Sequence, residues 1–182
     1  SDTHTLIAID LPFHGHTVWN ESTVFTPADL LQVIHLILEQ VHGSNEGKPL
    51  PVLLGFSLGG RIALSLYQQQ PELFEKIVLL APDGLKVNPW YRLATQTRVG
   101  NRFFRYTMQK PGWFFGILKA ANKLRLVNSS VFKFVNHYIG DPQVREFLYQ
   151  RWTGLRKFRP DLQKIREMIR LHRMPVRLVF GR

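Results

Sequence analysis

A chain of 182 residues with 45 % apolar and 20 % charged residues is long enough to bury a core, which excludes wholesale disorder. It holds no cysteine, which excludes disulfides, thiolate metal sites and a cysteine nucleophile and fits a cytoplasmic setting. The net charge of +11 is split unevenly: residues 1–85 carry 3 Lys/Arg against 9 Asp/Glu, whereas residues 86–173 carry 19 against 4. Of the 22 aromatic residues, 15 lie between Trp90 and Phe158, so an acidic, regularly patterned layer is followed by a basic, aromatic-rich one.

No apolar run approaches the roughly 20 residues that cross a bilayer, and Ser1-Asp2-Thr3-His4 lacks the basic and apolar regions of a signal peptide. Leu6-Ile7-Ala8-Ile9-Asp10 reads as a buried strand running into a loop at Pro12 and Gly15. Thr26-Pro27-Ala28-Asp29 is a helix start, with a hydroxyl at the N-cap, proline in the first position and an acid in the first turn. Leu30, Ile34, Ile37, Leu38 and Val41 give that helix an apolar face, and Gly43 stops it. Pro51 to Phe56 reads as a second buried strand, Gly60 to Gln70 as a second helix, Lys76 to Ala81 as a third strand and Val176 to Phe180 as a fourth. Between Leu85 and Arg173 the punctuation Pro89, Pro111-Gly112, Gly140-Asp141-Pro142 and Arg159-Pro160 predicts several short helices. The last of these turns Leu162, Ile165, Met168 and Ile169 to one side. Continuous apolar strands alternating with amphipathic helices predict an α/β fold, a mostly parallel sheet with helices on both faces, interrupted by a helical insertion. The expected boundaries are a core segment over 1–85, the basic aromatic insertion over 86–173 and a return strand over 174–182.

Gly55-Phe56-Ser57-Leu58-Gly59-Gly60 sits between a predicted strand and a predicted helix, the context in which Gly-x-Ser-x-Gly forms a nucleophile elbow. A side chain at Gly55 or Gly59 is expected to collide where the chain reverses so tightly. Ser57 is then thrust out at the carboxyl end of the sheet as candidate nucleophile, and the Leu58 amide, at the positive end of the helix, is the candidate oxyanion donor. A serine hydroxyl needs a histidine base held by a carboxylate.

These segments resemble the α/β-hydrolase fold family. The matching pieces are Ile9-Asp10-Leu11-Pro12-Phe13-His14-Gly15-His16-Thr17, the elbow with Arg61-Ile62-Ala63-Leu64 behind it, Ile77 to Pro82, and Pro175 to Arg182. Phe13 departs from the family pattern, which commonly has glycine there. The resemblance implies that the insertion is the family's lid, and that the triad acid and histidine follow the strand ending at Gly181-Arg182. It also implies strands and an oxyanion loop upstream of Leu6. The chain is therefore expected to be an incomplete portion that does not itself hold the complete triad.

Asp83 stands at an alternative acid position used in some family members, although Pro82-Asp83-Gly84 also reads as a plain turn. Substrate-binding candidates are Arg61, one helical turn beyond Ser57 and able to reach a carboxylate, together with His14, Phe56 and Trp90. The Gly-Gly-Arg continuation resembles the menaquinone-pathway synthase branch, where the matching arginine binds acidic substrate. His35 reads as a packing residue, and His137 and His172 as residues of the insertion. No His, Asp and Glu show metal-ligand spacing, so no metal and no cofactor is expected.

The insertion interleaves cations with rings at Trp90-Tyr91-Arg92, Arg102 to Tyr106, Trp113 to Phe115 and Arg151-Trp152. Four readings stand for it: a lid that selects an acyl substrate, anionic ones included, a membrane-surface contact, a nucleic-acid surface, and rings forming the insertion's own small core. Nucleic acid is not expected, because basic composition is not a binding motif. The function these residues imply is a serine hydrolase acting on a carboxylic ester or related acyl bond, with a small-molecule acyl substrate. The alternatives are a lyase or carbon–carbon hydrolase with Arg61 anchoring an anionic substrate, or a non-catalytic binding protein of the same fold.

Overall fold

Three parallel strands, β1 (Val52–Phe56), β2 (Lys76–Leu80) and β3 (Val176–Val179), form the sheet in the order β1-β2-β3 in the computed structural model of the chain. The model describes residues 5–43, 49–85, 89–124 and 126–181. The register aligns Leu53 with Ile77 and Gly55 with Leu79 across β1 and β2, and Ile77 with Val176 across β2 and β3. One face, holding Gly55, Ile77 and Leu79, is buried; on the other, Val52, Leu54 and Phe56 of β1 are exposed.

The helices are α1 (Pro27–His42), α2 (Leu58–Gln69), α3 (Pro89–Gln96), α4 (Arg98–Gln109), α5 (Gly112–Lys123), α6 (Ser129–Gly140), α7 (Pro142–Gly154) and α8 (Leu162–His172). Among the described residues none is long and apolar enough to cross a membrane. By internal contacts the chain falls into two compact units, Phe25–Asn88 with Leu155–Arg182, and Ser1–Val24 with Pro89–Gly154.

The first unit holds the sheet, α1, α2 and α8. α1 starts where its local chemistry dictates. The Thr26 hydroxyl accepts from the Asp29 amide at 3.3 Å, and the Asp29 carboxylate accepts from the Thr26 amide at 2.7 Å, a reciprocal capping box. Gly43 ends the helix at φ 65°. Leu30, Leu31 and Leu38 are buried, while Val41, expected on the same face, is exposed. α2 packs on β1 and β2 and is the most buried helix, with Ile62, Ala63, Leu64, Leu66 and Tyr67 in the core.

The segment 155–172 belongs to this unit, although charge and ring density had grouped it with the insertion. Leu155, Phe158 and Ile165 are buried, the Phe158 ring lies 6.0 Å from that of Phe25, and the Asp161 amide donates to Gln68 Oε1 at 2.7 Å. Charge is carried on outward positions and says nothing of where the apolar stripe beneath it packs, which accounts for the difference.

The second unit holds α3 to α7 and the loop near Phe13. Some of the rings do form a local core: Phe104 lies 5.6 Å from Tyr149 and 5.4 Å from Trp152, which meets Tyr91 edge-on at 5.2 Å. Asn101 ties α4 to its neighbours by donating to Ala94 O and Thr153 Oγ1 and accepting from the Tyr149 hydroxyl. Arg145 donates from Nε to Met108 O and from Nη1 to Ile139 O and Gly140 O, so a cation covers carbonyls at two helix ends. Phe103, Tyr106 and Phe147, by contrast, are exposed.

Phe13 adopts φ 68°, a left-handed conformation that costs a residue with a Cβ about 1–2 kcal/mol. Its carbonyl accepts from Arg151 Nε at 2.8 Å, and its ring lies where a side chain on Gly154 would be. The strand expected over residues 6–10 is not formed. These residues are extended without ladder partners, and Leu6, Ile7 and Ile9 are exposed. An apolar run becomes a strand only when another backbone satisfies its N–H and C=O groups, and none among the described residues does so here.

Tyr67 is wholly buried, and its hydroxyl finds no hydrogen-bond partner among the described residues. Burial pushes its phenol above the ordinary value of 10.0. In the unfolded chain that phenol ionises first, so this group leaves stability independent of pH below about pH 10 and lowers it as the pH rises further. Tyr67→Phe is expected to stabilise the protein by about 1 kcal/mol at neutral pH by removing an unsatisfied group. It should also flatten the decline of Tm above pH 10, as measured by thermal melts across the alkaline range.

Candidate active site

The end of β1 and the start of α2 build the site. Gly55 must lack a side chain, because a Cβ there would lie 2.5 Å from Gly59 O and 2.7 Å from Gly60 N. The chain then reverses at Ser57, which adopts φ 48° and ψ −114° as N-cap of α2. A residue with a Cβ in such a conformation costs of order 1–3 kcal/mol, so its surroundings must hold it there.

Three backbone hydrogen bonds do so. The Ser57 amide donates to Leu80 O at 3.0 Å, and the Ser57 carbonyl accepts from the Gly60 amide at 2.9 Å and from the Asp83 amide at 2.8 Å. The turn that follows β2 is thereby fastened to the reversal. Ser57 is exposed at the carboxyl end of β1, and Leu58 is the first residue of α2, where a helix leaves its amide without an intrahelical acceptor. A hydroxyl beside such an amide at the positive end of a helix suits an attack that develops negative charge on a carbonyl oxygen.

The collision expected at Gly59 is not found: a Cβ there meets nothing within 4 Å. The close approach belongs to Gly60, where a Cβ would run into the Pro82 side chain and come within 2.9 Å of Pro82 Cα. The Gly59-Gly60 doublet and the Pro82-Asp83-Gly84 turn were both visible in the sequence. Which glycine faces which turn is a matter of how α2 packs against the end of β2.

Arg61 is buried, and its guanidinium faces the Asp83 carboxylate with Nη1 3.6 Å from Oδ2. The candidate substrate anchor and the candidate acid are thus each other's partners, while Asp83 remains half-exposed and also accepts from the Gly84 amide at 2.7 Å. Phe56 is exposed on the open face of β1. His14 is half-buried, with Nδ1 3.1 Å from Pro12 O, and His35 is half-buried, with Nδ1 2.7 Å from Leu31 O. No histidine among the described residues is hydrogen-bonded to the Ser57 hydroxyl. The expectations for Trp90 and His137 concern side chains outside the described ones.

A parallel α/β sheet with a strained serine between strand and helix defines a class of protein, and comparison with known sequences narrows it. Residues 1–181 match the model of the alpha/beta hydrolase family, and the chain belongs to that family. Over 183 residues it is 27 % identical to the uncharacterized hydrolase YugF of Bacillus subtilis, covering 99 % of this chain and 63 % of that protein. Over 74 residues it is 31 % identical to the esterase Rv0045c of Mycobacterium tuberculosis, covering 41 % of this chain and 23 % of that one. The chain therefore spans less than two thirds of the length of either relative. Among solved structures it is similar to MGS-M2, an alpha/beta hydrolase from a Medee basin deep-sea metagenome library, at TM-score 0.45 and 13 % identity, covering 93 % of this chain and 68 % of that one. A carboxylesterase structure from the ammonia-oxidizing thaumarchaeon Nitrososphaera gargenis matches at TM-score 0.41 and 17 % identity, covering 94 % of this chain and 70 % of that one.

The three glycines give a direct check on the packing. Gly55→Ala and Gly60→Ala are each expected to lose about 2 kcal/mol or more, since each forces a methyl into backbone or ring atoms. Gly59→Ala should be neutral or gain up to about 1 kcal/mol from helix propensity. Urea denaturation of the three variants separates these outcomes.

Proposed function

We propose that this chain carries the nucleophile of a serine hydrolase acting on a carboxylic ester or related acyl bond, with Ser57 as that nucleophile and the Leu58 amide as an oxyanion donor. The observation that carries the reading is the Ser57 backbone, held at φ 48° and ψ −114° between β1 and α2 with its side chain exposed. Membership of the alpha/beta hydrolase family supports it, and so does the stretch of 31 % identity shared with a mycobacterial esterase.

In this reading Ser57 Oγ adds to the ester carbonyl carbon as its proton passes to a base, and the carbonyl oxygen gains the negative charge that the Leu58 amide receives. Collapse of the tetrahedral species breaks the bond to the alcohol, which leaves with that proton. Water then attacks the acyl-serine by the same steps, releasing the acid and restoring the hydroxyl. The base and its carboxylate partner are not assigned to any described residue.

Treatment of the full-length protein with a fluorophosphonate probe is expected to modify Ser57, located by peptide mass spectrometry. Ser57→Ala should abolish labelling and lower ester turnover by roughly a million-fold, the scale on which losing such a nucleophile acts. An unmodified Ser57 in protein that still turns over esters would refute the assignment.

A further inference from the structure

We propose that the Arg61–Asp83 ion pair is a clamp that fixes the turn after β2 against the Ser57 reversal, with Arg61 acting as a positioning residue for the nucleophile. The inference rests on the reading of Ser57 given above and deepens it.

The strained carbonyl of Ser57 depends on two amides, and one of them, that of Asp83, comes from a different element. Nothing in the chemistry of an exposed Pro-Asp-Gly turn holds it in place by itself, since such turns are ordinarily free to move in solvent. Here the turn is pinned from two sides. Pro82 sits on Gly60, and Gly84, at φ 96°, sits over the Arg61 stem, where a Cβ would lie 3.0 Å from Cγ and 3.1 Å from Cβ of Arg61. Between these two contacts the Asp83 carboxylate uses one oxygen for the Gly84 amide and turns the other to the Arg61 guanidinium.

Arg61 is itself unusual for its place. It lies in the first turns of α2, where the helix dipole favours acids rather than cations, and its side chain is only 10 % exposed. A guanidinium kept from water at the positive end of a helix needs a carboxylate nearby, and that of Asp83 faces it. The pair therefore holds the Asp83 backbone at the spot where its amide meets Ser57 O. An arginine so employed orients the nucleophile through the turn and has its charge already engaged, which sets it apart from an anchor for anionic substrate.

The experiment compares the wild-type protein with Arg61→Met, Arg61→Lys, Asp83→Asn and the Arg61→Met/Asp83→Asn pair. Asp83→Asn keeps the acceptor for the Gly84 amide and changes a half-exposed side chain, so it tests the charge without endangering the fold. Two readouts are taken: hydrogen exchange at the Gly60 and Asp83 amides, and the rate of Ser57 modification by a fluorophosphonate. Arg61→Met and Asp83→Asn should each speed exchange and slow modification on the order of tenfold, because losing either partner leaves the other poorly compensated. Arg61→Lys should recover part of both, and the pair should be no worse than either single change. Unchanged exchange in the folded variants overturns the clamp. So does a rise in KM confined to carboxylated esters with exchange unaltered, which marks Arg61 as a substrate anchor. Absence of Ser57 modification in the wild-type protein overturns the hydrolase reading instead, and the exchange data still decide the clamp.

Discussion

At the junction of β1 and α2 two backbones approach more closely than any side chain would permit. Gly55 lies against the carbonyl of Gly59, and Gly60 lies against Pro82, so the start of the helix is pressed on both the strand before it and the turn after β2. Only in that compressed geometry can the Ser57 carbonyl collect amides from Gly60 and Asp83 at once. The strained dihedrals of Ser57, its exposure and the place of the Leu58 amide at the start of the helix all go with this contact. The close packing of helix, strand and turn also explains why α2 is the most buried helix. A helix that must hold a strained residue at its first turn needs the rest of its length anchored in the core.

Features encoded within a few residues were legible in the sequence. The capping box of α1 joins Thr26 to Asp29, three positions apart, and needs no knowledge of the rest of the fold. The strand–serine–helix reversal was equally readable, because glycine on either side of a serine between an apolar run and an amphipathic one is a local signal. The apolar stripe of α8 was read correctly too, with Ile165 buried and Leu162, Met168 and Ile169 half-buried.

What failed was non-local. Residues 6–10 have the composition of a strand, but pairing depends on another backbone lying alongside. The steric role given to Gly59 falls to its neighbour, because the helix turns Gly60 rather than Gly59 toward Pro82. The ion pair between Arg61 and Asp83 was not legible either, since no periodicity links a helix position to a turn beyond the next strand. The segment 155–172 goes with the insertion by charge alone, yet α8 packs against α2 and the Phe158 ring lies near that of Phe25.

The conformation of Phe13 ties together two places far apart in the chain. A phenylalanine stands where the backbone would be more comfortable with glycine, and the space its ring occupies is space that Gly154 leaves by having no side chain. Glycine at 13 would relax the dihedral but open a hole beside α7, and any larger residue at 154 would evict the ring. Each residue is thus tolerable only because of the other, so a viable path from this pair to a different one runs through a double exchange, with either single step disfavoured.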